Sequence, residues 1–497
     1  MAAQAIVVGG GVGGLAVAAY LASADVDVTV LERNDRLGGR ASVLERGGYR
    51  FDMGPSWYLM PDVFERFFGH FDTHPAAWYE LAHLVPHYRA FFKDGDVVDM
   101  SGDRDRLRAV FEGYETGAGA ALDRYLAGAE EAYEVGMRQF VYTDRGRLRD
   151  YLDLDVARQS RGISLTGSMQ DHVATYFDHP KLQQLVQYSL VFLGGSPTNT
   201  PALYKLMSHV DVNLGVFYPE GGIWSVVEAI AELARQHGAT FRTGVEVECI
   251  RRRRGGLVAE AADGHAYAAD VVVANADVAH VERDLLEAHN REYTDRYWRR
   301  RTLAPSAFLI YLGIEGEVSN LAHHSLVLPT NWDDHFAAIF DDPAWPADPA
   351  YYVCAPSRTD PSVAPTGDES LFVLVPIAPG LEDGPDARAR YRDRVIADLE
   401  SHAGVDLRGR IAVEETFAVR DFARRYNAQR GTALGLAHTL WQTGPGRPDH
   451  RSGRLPGLYR VGADTRPGIG VPMGLISAEH AATAVLDDLG RDPPWRA

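Results

Sequence analysis

The sequence predicts an α/β protein: one parallel-sheet domain assembled from separate stretches of chain, beside a second domain that mixes helices and sheet. Three observations predict it. An apolar run, Ala5-Ile6-Val7-Val8, leads straight into Gly9-Gly10-Gly11-Val12-Gly13-Gly14 and a helical pattern, and a second apolar run from Val26 to Leu31 closes on Glu32. Near the far end of the chain, Leu458-Tyr459-Arg460-Val461 runs into Gly462-Ala463-Asp464 and another helical stretch. Between the two, residues 100–215 carry a helical pattern with no strand alternation. A strand, a glycine turn and a helix N-terminus at both ends of one chain imply a sheet domain that the chain leaves and re-enters.

The elements follow in order from pattern and turn chemistry. Residues 4–45 read as strand, helix, strand and a Gly38-Gly39-Arg40 turn. Tyr49 to Met60 contains Gly54-Pro55 and cannot be continuous regular structure. Leu122, Tyr125, Leu126, Ala129, Tyr133 and Met137 form one helical stripe, and Pro180, Gly194-Gly195 and Pro197 punctuate the later helices. Tyr218-Pro219-Glu220-Gly221-Gly222 is a turn, and a helix from Ile223 to Gln236 follows, with Gly238 as its left-handed cap. Next come a strand at Val245–Ile250 and a hairpin, Leu257–Ala261 with His265–Val273, around Asp263-Gly264. Residues 300–420 mix strands at Ala307–Leu312 and Ser370–Val375 with a helix at Ala387–His402. The expected division is 1–95, 216–300 and 421–497 for the discontinuous domain, and 96–215 with 301–420 for the other.

At 497 residues the chain has length for two or three domains, and 46% hydrophobic with 24% charged residues is ordinary for a globular protein. A net charge of −18 repels nucleic acid and anionic membranes, so no nucleic-acid partner is expected. Two cysteines, Cys249 and Cys354, exclude a disulfide framework and a Cys-based metal cluster, and fit a cytoplasmic protein. The first strand begins by residue 5, leaving no room for a signal peptide, and no apolar stretch reaches the ~18 residues of a spanning helix. A soluble protein, or one resting on a membrane face, is expected.

Gly9, Gly11 and Gly14 satisfy G-x-G-x-x-G between a strand and a helix, where free N–H groups and the helix dipole hold a pyrophosphate. Glu32 stands where a carboxylate accepts the hydroxyls of an adenosine ribose. NAD(P) would satisfy this half alone. The Gly38-Gly39-Arg40 turn and the second contact at Gly462-Ala463-Asp464 favour FAD, because a nicotinamide enzyme needs no contact near the far end of the chain. The loop Thr465 to Gly474 opens the last helix, whose N-terminus can face the flavin's pyrimidine edge. The basic run Arg251 to Arg254 reads as a solvated hairpin mouth, and His323-His324 lacks a third ligand at a sensible spacing, so no metal site is expected. H-E-x-x-H, G-x-S-x-G and P-loop patterns are absent, and Asp341-Asp342 lacks the further acid of a D-D-x-x-D site, which leaves hydrolase, kinase and prenyl-transfer readings unsupported.

Five segments together resemble the bacterial-type carotenoid desaturase family, the phytoene desaturases of the FAD amine-oxidase-like superfamily. They are Phe51-Asp52-Met53-Gly54-Pro55-Ser56, Phe192-Leu193-Gly194-Gly195-Ser196-Pro197, Tyr218 to Gly222, Ala274-Asn275-Ala276-Asp277 and, most specific, Val461 to Pro472. Asp464 departs from the Gly of many members and resembles the wider superfamily's ribityl contact. The run Trp57-Tyr58-Leu59-Met60 is bulkier than expected beside a polyene tunnel.

The resemblance implies a Rossmann-like FAD-binding domain, non-covalent FAD and a long apolar carotenoid substrate. It also implies attachment to the cytoplasmic membrane surface, with quinone or oxygen as electron acceptor. The implied chemistry is hydride transfer from an allylic C–H to flavin N5, followed by proton loss from the neighbouring carbon. Candidate cofactor contacts are Gly9, Gly11, Gly13, Gly14, Glu32, Arg33, Gly39 and Arg40, then Pro55, Ser56 and Val247, and finally Gly462, Asp464, Pro472 and Met473. Arg149-Asp150 resembles a polar pair of the family and is the candidate catalytic pair. Leu185 to Leu193 with Ala202 to Met207 is the expected membrane-facing patch. A flavin-dependent carotenoid isomerase and a non-enzymatic prenyl-protein escort protein on the same fold are the alternative functions.

Overall fold

The computed structural model describes residues 2–146, 167–191, 193–404 and 406–496. Its glycine turn sits on a five-stranded, all-parallel sheet in the order Leu458–Arg460, Val271–Ala274, Gln4–Val8, Asp27–Glu32, Thr240–Thr243. Alternation along each strand decides which face a side chain joins. Ala5, Val7, Val28, Val30, Val271 and Val273 pack under the helices Val12–Ser23, Ile223–Gln236 and Val471–Asp488. Ile6, Val8, Leu31, Val272 and Ala274 pack on the opposite face, which a small antiparallel sheet (Val247–Arg253, Gly256–Ala261, Ala266–Ala269) covers. Burial on both faces is why these strands read as continuous apolar runs.

Two expected strands are corrected. The stretch His265–Val273 is two strands in two sheets, because Asp270 turns the chain: its carboxylate accepts from Gln4 N–H at 2.9 Å and its own N–H donates to Gln4 O at 2.9 Å. The strand expected at Val245 starts at Val247, since Val245 N–H donates instead to Glu32 O, at 2.9 Å. The helix Ile223–Gln236 has the expected bounds, with Gly238 at φ +101°.

A seven-stranded mixed sheet forms the second layer system, in the order Ile411–Phe417, Ser306–Ile314, Glu369–Ile377, Tyr351–Cys354, His324–Leu328, Tyr88–Phe92, Val97–Met100. The sheet takes in Tyr88–Phe92, a strand that precedes residue 95. Helix Pro385–Ala403 covers one face through Tyr391, Val395, Ile396 and Leu399. The other face carries the helices Arg104–Tyr114, Ala118–Gly136 and Pro180–Gln187. All six residues of the stripe Leu122 to Met137 are buried. So are Leu185, Val186, Tyr188, Leu190 and Leu193, which overturns the Leu185–Leu193 part of the expected membrane-facing patch: these side chains form the core over the seven-stranded sheet, while Leu203, Tyr204, Leu206 and Met207 are half-buried. Among the described residues no helix is long and apolar enough to cross a membrane.

Candidate active site

Segments from three remote parts of the chain converge on Asn275, which follows the strand Val271–Ala274. Its N–H donates to Val8 O at 2.8 Å and its Nδ2 donates to Gly9 O at 3.1 Å. A Cβ on Gly9 would lie 2.3 Å from Asn275 O, and one on Gly14 would lie 2.1 Å from Gly9 O. At Gly11, Gly13 and Gly462 a Cβ would approach Asn275 side-chain atoms to 3.0 Å. The strand–turn–helix crossing therefore requires several of these glycines before any ligand arrives. In the sequence Asn275 stands only within the Ala274–Asp277 motif and is not among the candidate cofactor contacts. Its place at the end of an apolar strand, level with the glycine turn, was the signal.

The second glycine turn closes on the first, with Gly38 N–H donating to Gly10 O at 2.8 Å. Glu32 is 4% exposed; one carboxylate oxygen accepts from Gly10 N–H at 2.8 Å, and the other accepts from Asn34 N–H at 2.8 Å and Asn34 Nδ2 at 2.6 Å. Arg33 instead pairs with Asn427 at 2.6 Å and Glu246 at 3.3 Å, while Val247 packs in the core beneath Leu31. Ser477, on the C-terminal helix, accepts from Gly462 N–H at 3.0 Å and bonds Thr465 Oγ1 at 2.9 Å. Asp464 accepts from Leu436 N–H at 3.0 Å and Val278 N–H at 3.2 Å. Burial, and then the Asp464 charge, push the neighbouring Asp277 carboxyl up.

Two helix N-termini meet here. Val12–Ser23 and Val471–Asp488 both begin at glycines with no side-chain cap and no acid in the first turn, and a Cβ on Gly474 would lie 3.8 Å from Gly13 N. This brings Pro472 and Met473 beside the first glycine turn. Arg40 stands on the 3-10 turn Gly39–Ala41, 5.8 Å from the Tyr426 ring centroid, and its buried Nε has no hydrogen-bond partner among the described residues.

The segment carrying Pro55 and Ser56 runs from this cleft to an aromatic group. A Cβ on Gly54 would come to 2.8 Å from Arg40 O, so the segment lies against the Arg40 backbone. Ser56 Oγ bonds Tyr352 OH at 2.8 Å, and Tyr352 OH bonds His324 Nδ1 at 2.7 Å. Trp57 stacks on His324 with centroids 4.2 Å apart and 9° between planes, and also meets Tyr88 and Tyr188. Tyr188 donates to Asp211 at 2.7 Å; burial pushes that carboxyl up to about 7. Burial also pushes His87 down to about 4 and keeps His324 neutral by lowering it well below its usual range. Asp52 caps helix Ile223–Gln236 across the fold, accepting from Ile223 N–H at 2.8 Å and Trp224 N–H at 3.1 Å. Gly222, at φ +81°, is what lets it approach: a Cβ there would lie 2.6 Å from the carboxylate.

Contrary to the sequence spacing, His323 and His324 do gather a third group. Cys354, opposite His324 in the strand register, brings their ligand atoms within 4.8 Å of one another. Burial pushes the Cys354 thiol up to about 12, away from a thiolate. The candidate pair Arg149 and Asp150 lies outside the described residues.

Residues 12–486 match the flavin containing amine oxidoreductase family. The chain is 59% identical over 484 residues to a carotenoid 3,4-desaturase of Haloarcula japonica, covering 97% of this chain and 98% of that one. The chain belongs to the carotenoid desaturase family of flavin amine oxidoreductases. A zeta-carotene-forming phytoene desaturase of Myxococcus xanthus is 33% identical over 486 residues, 95% of this chain and 92% of that one. The fold is shared with cyclohexylamine oxidase of Brevibacterium oxydans IH-35A, at TM-score 0.63 and 14% identity over 99% of this chain and all of the other.

The cofactor of this desaturase-family chain is FAD, and its residues fit that group. Two uncapped helix ends and a buried guanidinium nitrogen with no acceptor among the described residues are donors suited to an anion, as a pyrophosphate supplies. The Glu32 carboxylate, with about four lone-pair sites and three protein donors, keeps acceptor capacity for a ribose hydroxyl.

Proposed function

We propose that this protein is a FAD-dependent carotenoid desaturase that converts C–C single bonds of a long apolar polyene to double bonds, at the 3,4 position in preference to phytoene. The carrying observation is the 59% identity, across nearly the whole of both chains, with a carotenoid 3,4-desaturase, against 33% with a phytoene desaturase. Bound FAD supplies a hydride acceptor, flavin N5.

The chain's own residues bind, orient and exclude water. Gly11, Gly13 and Gly14 with Arg40 take the pyrophosphate, Glu32 takes the ribose, and Asp464 with the helix end at Pro472 and Met473 takes the ribityl and flavin side. Gly9, Gly39 and Gly462 shape the turns that bring these groups together. Arg33 and Val247 support the Glu32 strand end rather than touching the cofactor, and Pro55-Ser56 separates the cofactor from the polyene. Trp57, half-buried and backed by Tyr88, Tyr188 and Tyr352, is the ring placed to meet a conjugated chain, and the neutral His324 stacked on it places no fixed cation beside a substrate that develops positive charge. FAD attachment is non-covalent, and a quinone or oxygen receives the electrons. Residues 96–215 and 301–420, extended back to Tyr88–Phe92, form the substrate domain.

Docking to a lipid surface falls to Leu440 and Trp441, exposed at 43% and 82% on the turn Leu440–Gln442, in place of the buried Leu185–Leu193 stretch. The deciding experiment is expression in hosts that accumulate either phytoene or a carotenoid with a saturated 3,4 bond. Product spectra and masses should show loss of two hydrogens per bond from the second substrate. Unchanged mass with altered isomer composition would instead establish an isomerase.

A further inference from the structure

We propose a divalent transition-metal site, of the zinc class, formed by Asp144, His450 and His480. Their ligand atoms lie within 4.8 Å of one another. The two rings are buried, at 1% and 7% exposure, with centroids 5.7 Å apart.

Hydrogen bonding sets both tautomers. His450 Nδ1 faces Arg460 O at 3.0 Å, and His480 Nε2 faces Tyr142 O at 3.3 Å. A carbonyl oxygen only accepts, so each of these nitrogens carries the proton. The opposite nitrogens, His450 Nε2 and His480 Nδ1, are lone pairs, and both are buried with no hydrogen-bond partner among the described residues. These lone pairs belong to a cluster in which each ring offers a ligand atom within 4.8 Å of the Asp144 carboxylate, an electron-rich set that a divalent cation would satisfy. Imidazoles whose outer N–H is held by a backbone carbonyl are the usual oriented ligands of such a cation. The carboxylate is oriented too, because Arg466 Nε donates to Asp144 Oδ1 at 2.6 Å. Two imidazoles and a carboxylate suit zinc and its first-row neighbours better than calcium or magnesium.

The cluster at His323, His324 and Cys354 lacks this design. His323 and His324 bond the hydroxyls of Thr359 and Tyr352, which can donate or accept, so neither tautomer is set, and the thiol stays protonated. The Asp144 site also joins three remote segments. It ties the end of the helical region to the helix Val471–Asp488, whose N-terminus faces the cofactor.

The test uses the flavin-loaded enzyme, treated with a chelator, incubated with zinc and desalted, with bound metal measured by elemental mass spectrometry. One zinc per chain is expected for the wild type, with a melting temperature above that of the chelated protein. His450→Ala and the isosteric Asp144→Asn should lose the zinc and the zinc-dependent rise in melting temperature. His265→Ala, at an exposed turn, should keep both. Flavin content and a cooperative melt check that each variant is folded. X-ray absorption of the zinc edge should report two imidazoles and a carboxylate. A wild type that retains no more zinc than His450→Ala, or zinc retained equally in every variant, overturns the site.

Discussion

The cofactor cleft and the aromatic group around Trp57 are joined by three residues of chain, yet they are built by opposite means. In the cleft, the working groups are backbone N–H donors, and glycines serve by leaving space: a Cβ on Gly9, Gly14 or Gly54 would strike backbone oxygen. Around Trp57 the working groups are side chains that fill space, drawn from residues 57, 88, 188, 324 and 352 and locked by ring contacts and the Ser56–Tyr352–His324 hydrogen bonds. The difference shows in charge as well. The cleft holds the Arg40 guanidinium nitrogen with no acceptor among the described residues, whereas burial around Trp57 drives His87, His324 and Asp211 toward their neutral forms. One region awaits an anion, and the other excludes charge.

Substitution can break this contrast most sharply at Gly11. Its Cβ would meet Asn275 Nδ2 at 3.0 Å and otherwise only Gly38 O at 3.9 Å, so the steric cost of Gly11→Val falls mainly on the ligand. The expected product is a folded, colourless protein, read from visible absorbance and a thermal melt. A yellow Gly11→Val variant with full flavin content would remove the pyrophosphate assignment.

Next in size is the frame beneath the cleft. Arg460 and Glu282 are both fully buried, 2.6 Å apart, and Glu292 adds a second contact at 3.2 Å. Arg460→Leu leaves Glu282 as an unpaired buried charge and should cost about 3–5 kcal/mol in urea unfolding. A loss under about 1 kcal/mol would mean that water reaches Glu282.

The aromatic region is sharpened by pH. Burial raises the Asp211 carboxyl to about 7, so the folded state holds a proton that the unfolded chain releases near its ordinary value. That contribution to stability is complete below about pH 4 and is lost as pH rises through about 7. Asp211→Asn should remove this part of the slope, with a gain on the order of 1–4 kcal/mol over wild type at about pH 8 relative to about pH 4. Asp52, raised to about 6 by burial, leaves a residual slope in both proteins. Parallel stability–pH curves for the two would show that Asp211 is hydrated.

The smallest effect on the fold lies outside both regions. Trp441→Ser should change stability by less than about 0.5 kcal/mol, because the ring is 82% exposed. Flotation with neutral liposomes should nonetheless fall, and unaltered flotation would move lipid contact elsewhere on the surface.

Features that depend on local backbone chemistry were legible in the amino-acid order. Glycine at 9, 11 and 14 between a strand and a helix, a Pro-Glu-Gly-Gly turn before Ile223, and Gly238 after Gln236 each constrain a few consecutive residues, and the helix bounds there agree with the structure. A second strand–turn–helix near residue 462 reads as a return to the first sheet, and Leu458–Arg460 pairs with Val271–Ala274. What each buried face meets depended on the folded chain as a whole. Helical spacing marks Leu185 to Leu193 as apolar on one side, but core and lipid are equally apolar partners, and the seven-stranded sheet supplied the core. Asp270 reads as an ordinary strand residue until Gln4 stands beside it. Asp52 reads as a polar loop residue until the helix beginning at Ile223 arrives above it. The same holds for Asp144, His450 and His480, whose separation in sequence is hundreds of residues for the first pair and whose ligand atoms are a few ångströms apart. Periodicity and turn chemistry act over a handful of residues, whereas a partner across the fold is set by packing of the whole chain, which no local pattern encodes.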